Sequence, residues 1–264
     1  MNIFVTGALG WTARAILQEL HSRGHSLIGL DLPGIDVSHD VSRLFARLER
    51  GDVADQNMVK RAMQGCEAVV HLAVAVGEED YKNSVIPIQT NVHGTYNVFE
   101  QARLNRVHTV VLMSSAPVHL PTSNPVRATE DLPTSPEGDH LYDLTKRLQE
   151  QIGKDYAATF GMNVITLRAG HIVDGLRQLT PGGKPLNEVS YCRGGWVCRY
   201  DLAQAVANAI DYDNTGYDAF HVIGDMRAYE IFDVQRTVET LGVHFSVDFA
   251  NYELIPGQTG FLKV

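Results

Sequence analysis

Cysteine is scarce in this chain. Cys66, Cys192 and Cys198 stand at irregular spacing among 264 residues, too few for a disulfide framework and without the paired spacing of a four-ligand zinc site. Reduced thiols and no metal are the expectation. Positive charge is also in the minority: 22 Lys and Arg face 31 Asp and Glu, a formal net charge of −9, and no stretch gathers cations into the footprint a phosphate backbone requires. Nucleic acid is therefore not an expected partner. No apolar run reaches the length of a bilayer span. Met1 leads directly into a strand-like run and a Gly-rich turn, without the charged start and cleavage site of a secretory leader. A cytoplasmic protein with no membrane partner is expected. Internal repeats and low-complexity tracts are lacking as well.

What is present is alternation. With 44% apolar residues the chain can bury a full core, and short β-branched runs alternate with segments of helical period, the pattern of parallel strands joined by crossover helices. Strands are predicted at 2–6, 26–31, 68–72, 108–113 and 163–168, with a weaker one leading into Gly51. Helices are predicted at 11–23, 56–64, 85–104, 141–160 and 202–212. The expected fold is an α/β doubly wound parallel sheet of Rossmann type. Residues 1–168 would form the dinucleotide-binding core, and 169–264 a small C-terminal substrate lobe interleaved with it. Two Gly- and Pro-rich stretches, 121–138 and 179–195, break the rhythm and read as loops.

The segment Phe4 to Ala13 follows the first strand and opens the first helix, where a dinucleotide site belongs. Gly7 and Gly10 permit a tight turn and close approach of a pyrophosphate, whose charge meets amides from Leu9, Gly10, Trp11 and Thr12 at the helix start. Asp31 closes the second strand about twenty residues on, where a carboxylate accepts hydrogen bonds from ribose hydroxyls and repels a 2′-phosphate. Its neighbours Leu32, Pro33 and Gly34 bring no cation. NAD is thus expected over NADP.

Tyr142 and Lys146 stand at i and i+4, one above the other on a helix face. A Lys charge and a nicotinamide cation beside a phenol favour its ionised form, so Tyr142 can exchange a proton with an alcohol.

Glycine turn, strand-two Asp, the run Val111 to Val118 and the Tyr-Lys pair occur in this order, and together resemble the extended short-chain dehydrogenase/reductase family. Ala13 departs from the usual Gly of the glycine motif. Aligned with that family, Gly51-Asp52-Val53 implies a border to the adenine, and Leu72, Ala73, Val74 and Asn91 complete the expected cofactor set. His71 reads as a packed strand histidine. The resemblance makes Ser115 the catalytic hydroxyl beside Tyr142 and Lys146, with Ser114 its neighbour. It also implies a homodimer through the helices carrying 91–101 and 142–151.

Family dehydratases carry an Asp-Glu pair after that hydroxyl; here Ala116 and Pro117 have no proton to give. Dehydration is the least expected chemistry. The run Ala169 to Gly175 alters the usual substrate wall, and His171 and Arg177, with Arg193 and Arg199, are candidates to orient a polar or anionic substrate. Asp201 is expected to cap the helix that follows. The C-terminal remainder is short for wrapping a nucleotide sugar. Compact sugar and uronate dehydrogenases are the nearest resemblance: hydride transfer between NAD and a secondary alcohol of a small sugar, sugar acid or polyol. An NAD-dependent epimerase needs the same acid-base groups and stays open as the alternative; a catalytically silent NAD sensor or scaffold is the third reading.

Overall fold

The computed structural model describes residues 1–75, 78–119, 127–134, 141–189 and 195–252. Nine strands are found there: β1 (Asn2–Thr6), β2 (Ser26–Asp31), β3 (Phe45–Arg50), β4 (Ala68–His71), β5 (Thr109–Ser115), β6 (Asn163–Ala169), β7 (His171–Val173), β8 (Trp196–Cys198) and β9 (Tyr217–Val222). The α-helical segments are α1 (Ala13–Ser22), α2 (His39–Ser42), α3 (Gln56–Ala62), α4 (Glu78–Lys82), α5 (Val85–Pro87), α6 (Gly94–Leu104), α7 (Leu141–Phe160), α8 (Arg199–Asp211) and α9 (Val234–Leu241).

Seven strands form one sheet in the order β3-β2-β1-β4-β5-β6-β9, every pair parallel. The order reverses between β1 and β4, so the carboxyl ends of these strands open a crevice at the switch point, where doubly wound sheets bind ligands. Ile3, Val5, Leu27, Val70 and Val111 pack on one face with Ile16 and Leu20 of α1 and Leu202 and Val206 of α8. Phe4, Val69, Val110 and Val164 pack on the other with Val59 of α3 and Val98 and Phe99 of α6. The doubly wound expectation is therefore met. Residues beyond 168 contribute β9 to the sheet and α8 to its cover, and also build two satellite clusters. One gathers Val173, Leu186, Trp196, Cys198 and Phe249 around the two-stranded β7-β8 ribbon; the other joins Ala116 and Ala128 to Ile223 and Phe232.

The single helix expected over 85–104 is interrupted. Pro87 closes the short α5, and a π-helical turn at Ile88–His93 precedes α6. Proline has no N–H for a continuing ladder, and an extra residue in a helical turn commonly marks a functional region. The expected cap on α8 is also different. Its N-cap is Cys198, and the Asp201 carboxylate instead receives the Ser246 hydroxyl at 2.6 Å and the Ser246 amide at 3.0 Å. It fastens the segment after α9. Neither β9, α9 nor the β7-β8 ribbon stands out in the sequence pattern. Of the two expected loops, 127–134 is tied down by the pairing of Ala128 with Phe232, and Leu179 pairs with both Asp174 and Pro185. Residues 120–126, 135–140 and 190–194, with Cys192 and Arg193, lie outside the described residues.

Candidate active site

At the cofactor end, Gly7 adopts φ 64° and lies so near the loop after β4 that a Cβ there would stand 2.9 Å from the Ala73 amide nitrogen. Only glycine serves at this position. The turn is drawn onto β2 by the Leu9 amide, which donates to Asp31 Oδ2 at 2.7 Å, while the Leu32 amide donates to Oδ1 at 2.8 Å. Asp31 thus fixes the turn with one lone pair on each oxygen and keeps further acceptor capacity. Thr12 is the N-cap of α1 and offers no side-chain cap; in the first turn the Arg14 amide donates to the Gly10 carbonyl at 3.3 Å. Asp52 is exposed and receives the Ala54 amide at 2.9 Å; Val53 is buried beneath it. Leu72, Ala73 and Val74 are half-buried along the strand end.

A neutral network supports this end from below. Thr95 donates to the Asn91 carbonyl at 2.5 Å, so its oxygen must accept from His71 Nε2 at 2.9 Å and from Gln149 at 2.8 Å. His71 Nδ1 is then an acceptor and takes the Thr6 hydroxyl at 2.6 Å; the Ala73 amide donates to that same Thr6 oxygen at 3.2 Å. Burial pushes the His71 imidazole down to about 3, and this one neutral tautomer satisfies the chain. His71 is packed, as expected. Asn91, fully buried, accepts from the Ala75 amide at 2.8 Å and donates to Thr145 at 2.9 Å, joining the loop after β4 to α7.

The residues expected to be catalytic lie on α7 and at the end of β5. Lys146 is buried, its Nζ 2.9 Å from the Met113 carbonyl oxygen and 5.7 Å from the centre of the Tyr142 ring. Burial lowers the ammonium to about 8, with the Glu150 charge working the other way. Burial pushes the Tyr142 phenol up, opposed by a hydrogen bond from Ser115. Loss of water dominates the phenol here; the expected depression belongs to Lys146 together with a bound nicotinamide cation. Ser115 meets the phenol, while Ser114 turns to Glu150 Oε1 at 2.6 Å.

On the substrate side, half-buried His171 lies on β7 with its imidazole lowered by burial. Arg177 and Arg199 share Asp174. Arg177 is 70% exposed, 4.0 Å from that carboxylate. Arg199 is 9% exposed at 3.4 Å from it, with its guanidinium 4.6 Å from the centre of the Trp11 ring. The wall beyond β6 is thereby linked to the glycine turn.

The model of the NAD dependent epimerase/dehydratase family matches residues 3–177. The chain belongs to this family. It is 26% identical over 226 residues to L-arabinose 1-dehydrogenase (NAD(P)(+)) of Haloferax volcanii, covering 80% of this chain and 82% of that one. It is 30% identical over 119 residues to uronate dehydrogenase of Agrobacterium fabrum, 45% of this chain and 43% of that one. The fold is shared with the crystal structure of uronate dehydrogenase from Agrobacterium tumefaciens, at TM-score 0.71 and 22% identity over 94% of this chain and 85% of that one. The family's cofactor is NAD, and the residues present fit it: the Gly7 cradle has no room for a Cβ, and the α1 turn is lined by amides.

Within this family member, sequence reasoning missed the Glu150–Arg168 pair. Arg168 Nε and Nη2 reach Glu150 at 3.0 and 2.8 Å, with both side chains at most 1% exposed. Tyr217 adds a bond at 3.2 Å. Two signals were available: Glu150 extends the Tyr142–Lys146 spacing by one more i+4 step, and Arg168 is the one charge in its strand.

Proposed function

We propose that this family member is an NAD-dependent dehydrogenase oxidising a secondary alcohol of a small sugar, sugar acid or polyol. The observation that carries the reading is the Ser115–Tyr142 hydrogen bond with the buried Lys146 on the same helix face. Ser115 and Tyr142 would bind the substrate hydroxyl between them. Ser115 donates to the oxygen and Tyr142 takes its proton. When bound, NAD supplies the hydride acceptor and a positive charge beside the phenol. Lys146 adds the second positive charge, held in place by the Met113 carbonyl. Gly7, Leu9, Gly10, Trp11 and Thr12 would face the pyrophosphate, Asp31 the ribose hydroxyls, and Asp52, Val53, Leu72, Ala73 and Val74 the adenine and diphosphate walls. Asn91 would act from behind, by holding α7 to that wall. His171 and Arg177 would meet the polar end of the substrate.

Ala116 and Pro117 in place of an acid-base pair speak against dehydration, and the two relatives described above, an arabinose and a uronate dehydrogenase, support a sugar or uronate substrate. The test is NADH absorbance with a panel of aldoses, uronates and polyols. Net NADH formation supports a dehydrogenase, whereas a substrate interconverted without net NADH would make the chain an epimerase. Tyr142→Phe should keep fold and NAD binding and lose about 10²–10⁴-fold in turnover; near wild-type turnover would remove Tyr142 from the proton step.

The homodimer belongs to this reading. Tyr96 on α6 and Leu144 and Leu148 on α7 are 46%, 42% and 36% exposed, and i,i+4 spacing puts the two leucines on one face. Burying them against a second copy would make a four-helix contact. Light scattering should give twice the chain mass; a monomer at micromolar concentration defeats the dimer. A cytoplasmic setting fits the free buried thiols Cys66 and Cys198, and no described helix is long and apolar enough to cross a membrane.

A further inference from the structure

Asp31 has a neighbour that its own stretch of chain does not reveal. In the parallel register of β2 and β3 its Cα partner is Arg50, so the two side chains leave the sheet side by side on the same face. The Arg50 guanidinium reaches across the strand end, with Nη1 3.4 Å from the Leu32 carbonyl oxygen. That contact lies beyond the usual N–H···O distance. Arg50 is half-buried, and no carboxylate stands within ion-pair distance of it among the described residues. The cations of β3 are thus treated differently: Arg47 is held by Glu49 at 3.3 Å and by the Ala62 carbonyl at 2.7 Å, whereas Arg50 has only the loose carbonyl.

The position is chemically specific. Asp31 Oδ1 and Oδ2 are already engaged by the Leu32 and Leu9 amides, which spread part of the carboxylate charge into backbone dipoles. A group extending outward from the ribose 2′-oxygen, past Asp31 toward Leu32, would meet the Arg50 guanidinium that lies loosely beside the Leu32 carbonyl. Arginine's planar fork suits a phosphate in that place. We propose that Arg50 is a 2′-phosphate subsite, so that this protein binds NADP as well as NAD through one adenosine pocket. The inference rests on the nucleotide-site reading above. It narrows the preference for NAD that Asp31 alone predicts, because Asp31 repels the added phosphate while Arg50 attracts it. Both charges are set by sheet register, so a single substitution separates them.

The experiment is titration of the 264-residue chain with NADH and with NADPH at low and high salt, followed by nicotinamide fluorescence on binding. NADPH should bind, with a Kd within about a hundredfold of that for NADH, and more salt-sensitively because its contact with Arg50 is a partly exposed ion pair. Arg50→Gln should weaken NADPH by about tenfold while leaving NADH nearly unchanged, since one charge-assisted contact is lost. Arg50→Lys should restore part of the loss, keeping the charge without the fork. The unchanged NADH affinity also reports that the variants fold. Wild-type protein that binds NADH but not NADPH overturns the inference and leaves the nucleotide site standing. Equal weakening of both nucleotides by Arg50→Gln also overturns it, making Arg50 a strand-end support. Failure to bind either nucleotide would instead strike the dinucleotide reading on which the inference rests.

Discussion

Two buried polar networks flank α7, and they are built on opposite principles. Toward the glycine turn, Thr6, His71, Thr95 and Gln149 form a chain without formal charge, in which each donor has one acceptor and His71 is held neutral by burial. Toward β6, Ser114, Glu150, Arg168 and Tyr217 form a cluster around an ion pair almost wholly removed from water. The neutral chain joins β1, β4, α6 and α7, the elements bordering the cofactor crevice. The charged cluster lies one turn beyond Lys146 and beside Ser115, where a field can act on the groups proposed for proton transfer. A neutral network fixes position at little electrostatic cost. A buried charge is costly to remove alone and reaches further, which would suit the proton transfer proposed for Tyr142.

The largest effect expected is on stability from the charged side. Glu150→Ala leaves Arg168 buried without its partner and should cost about 3–5 kcal/mol, read from the urea midpoint at constant m. Replacing both, with Glu150→Leu and Arg168→Met, should recover much of it; a double variant no more stable than the single one would show that the pair's value is not electrostatic. Next comes the neutral side. His71→Gln breaks bonds to Thr6 and Thr95 and should cost about 1–3 kcal/mol, less than Glu150→Ala.

His71 also sets a pH dependence whose sign follows from its lowered value. The unfolded imidazole takes up a proton near 6.5, the folded one only near 3. Stability due to this group is therefore complete above 6.5 and lost as pH falls toward 3, at about 1.4 kcal/mol per unit. Urea midpoints at pH 7 and pH 5 should fall further apart in wild type than in His71→Gln; equal spacing would mean that His71 is protonated when folded.

A smaller and more selective effect concerns Lys146. Its ammonium is charged below about 8 and neutral above, and Glu150 raises that value. The alkaline limb of kcat/KM should fall near pH 8 and move lower in Glu150→Gln, by less than about one unit for a single neighbouring charge. An unmoved limb would reduce Glu150 to packing. The smallest effect is expected at Gln149, whose Oε1 is buried without a hydrogen-bond partner. Gln149→Met removes that orphan along with one bond to Thr95, so the terms offset and the change should stay below about 1 kcal/mol. A large loss would mean that the neutral chain depends on Gln149 as heavily as the charged one does on Glu150.

What the sequence determined by itself is chemistry carried by residues close together in the chain. The Gly7 to Thr12 turn, the Asp31 strand end and the Tyr142–Lys146 step are local, because a tight turn, a strand terminus and one helical turn each impose their geometry on neighbours along the chain. The alternation of periods likewise gave the parallel sheet and the full extent of α7. Tertiary structure decided everything that depends on which distant segments meet. It turned Ser114 to Glu150 and Ser115 to Tyr142, placed Arg168 against Glu150, added β9 beyond β6, and gave Asp201 to Ser246 instead of its own helix. It also set Arg50 beside Asp31, a cation that the adjoining Leu32, Pro33 and Gly34 do not supply. Periodicity says which face of an element is buried. The choice of partner for a buried polar group comes from strand register and helix packing between segments far apart in sequence.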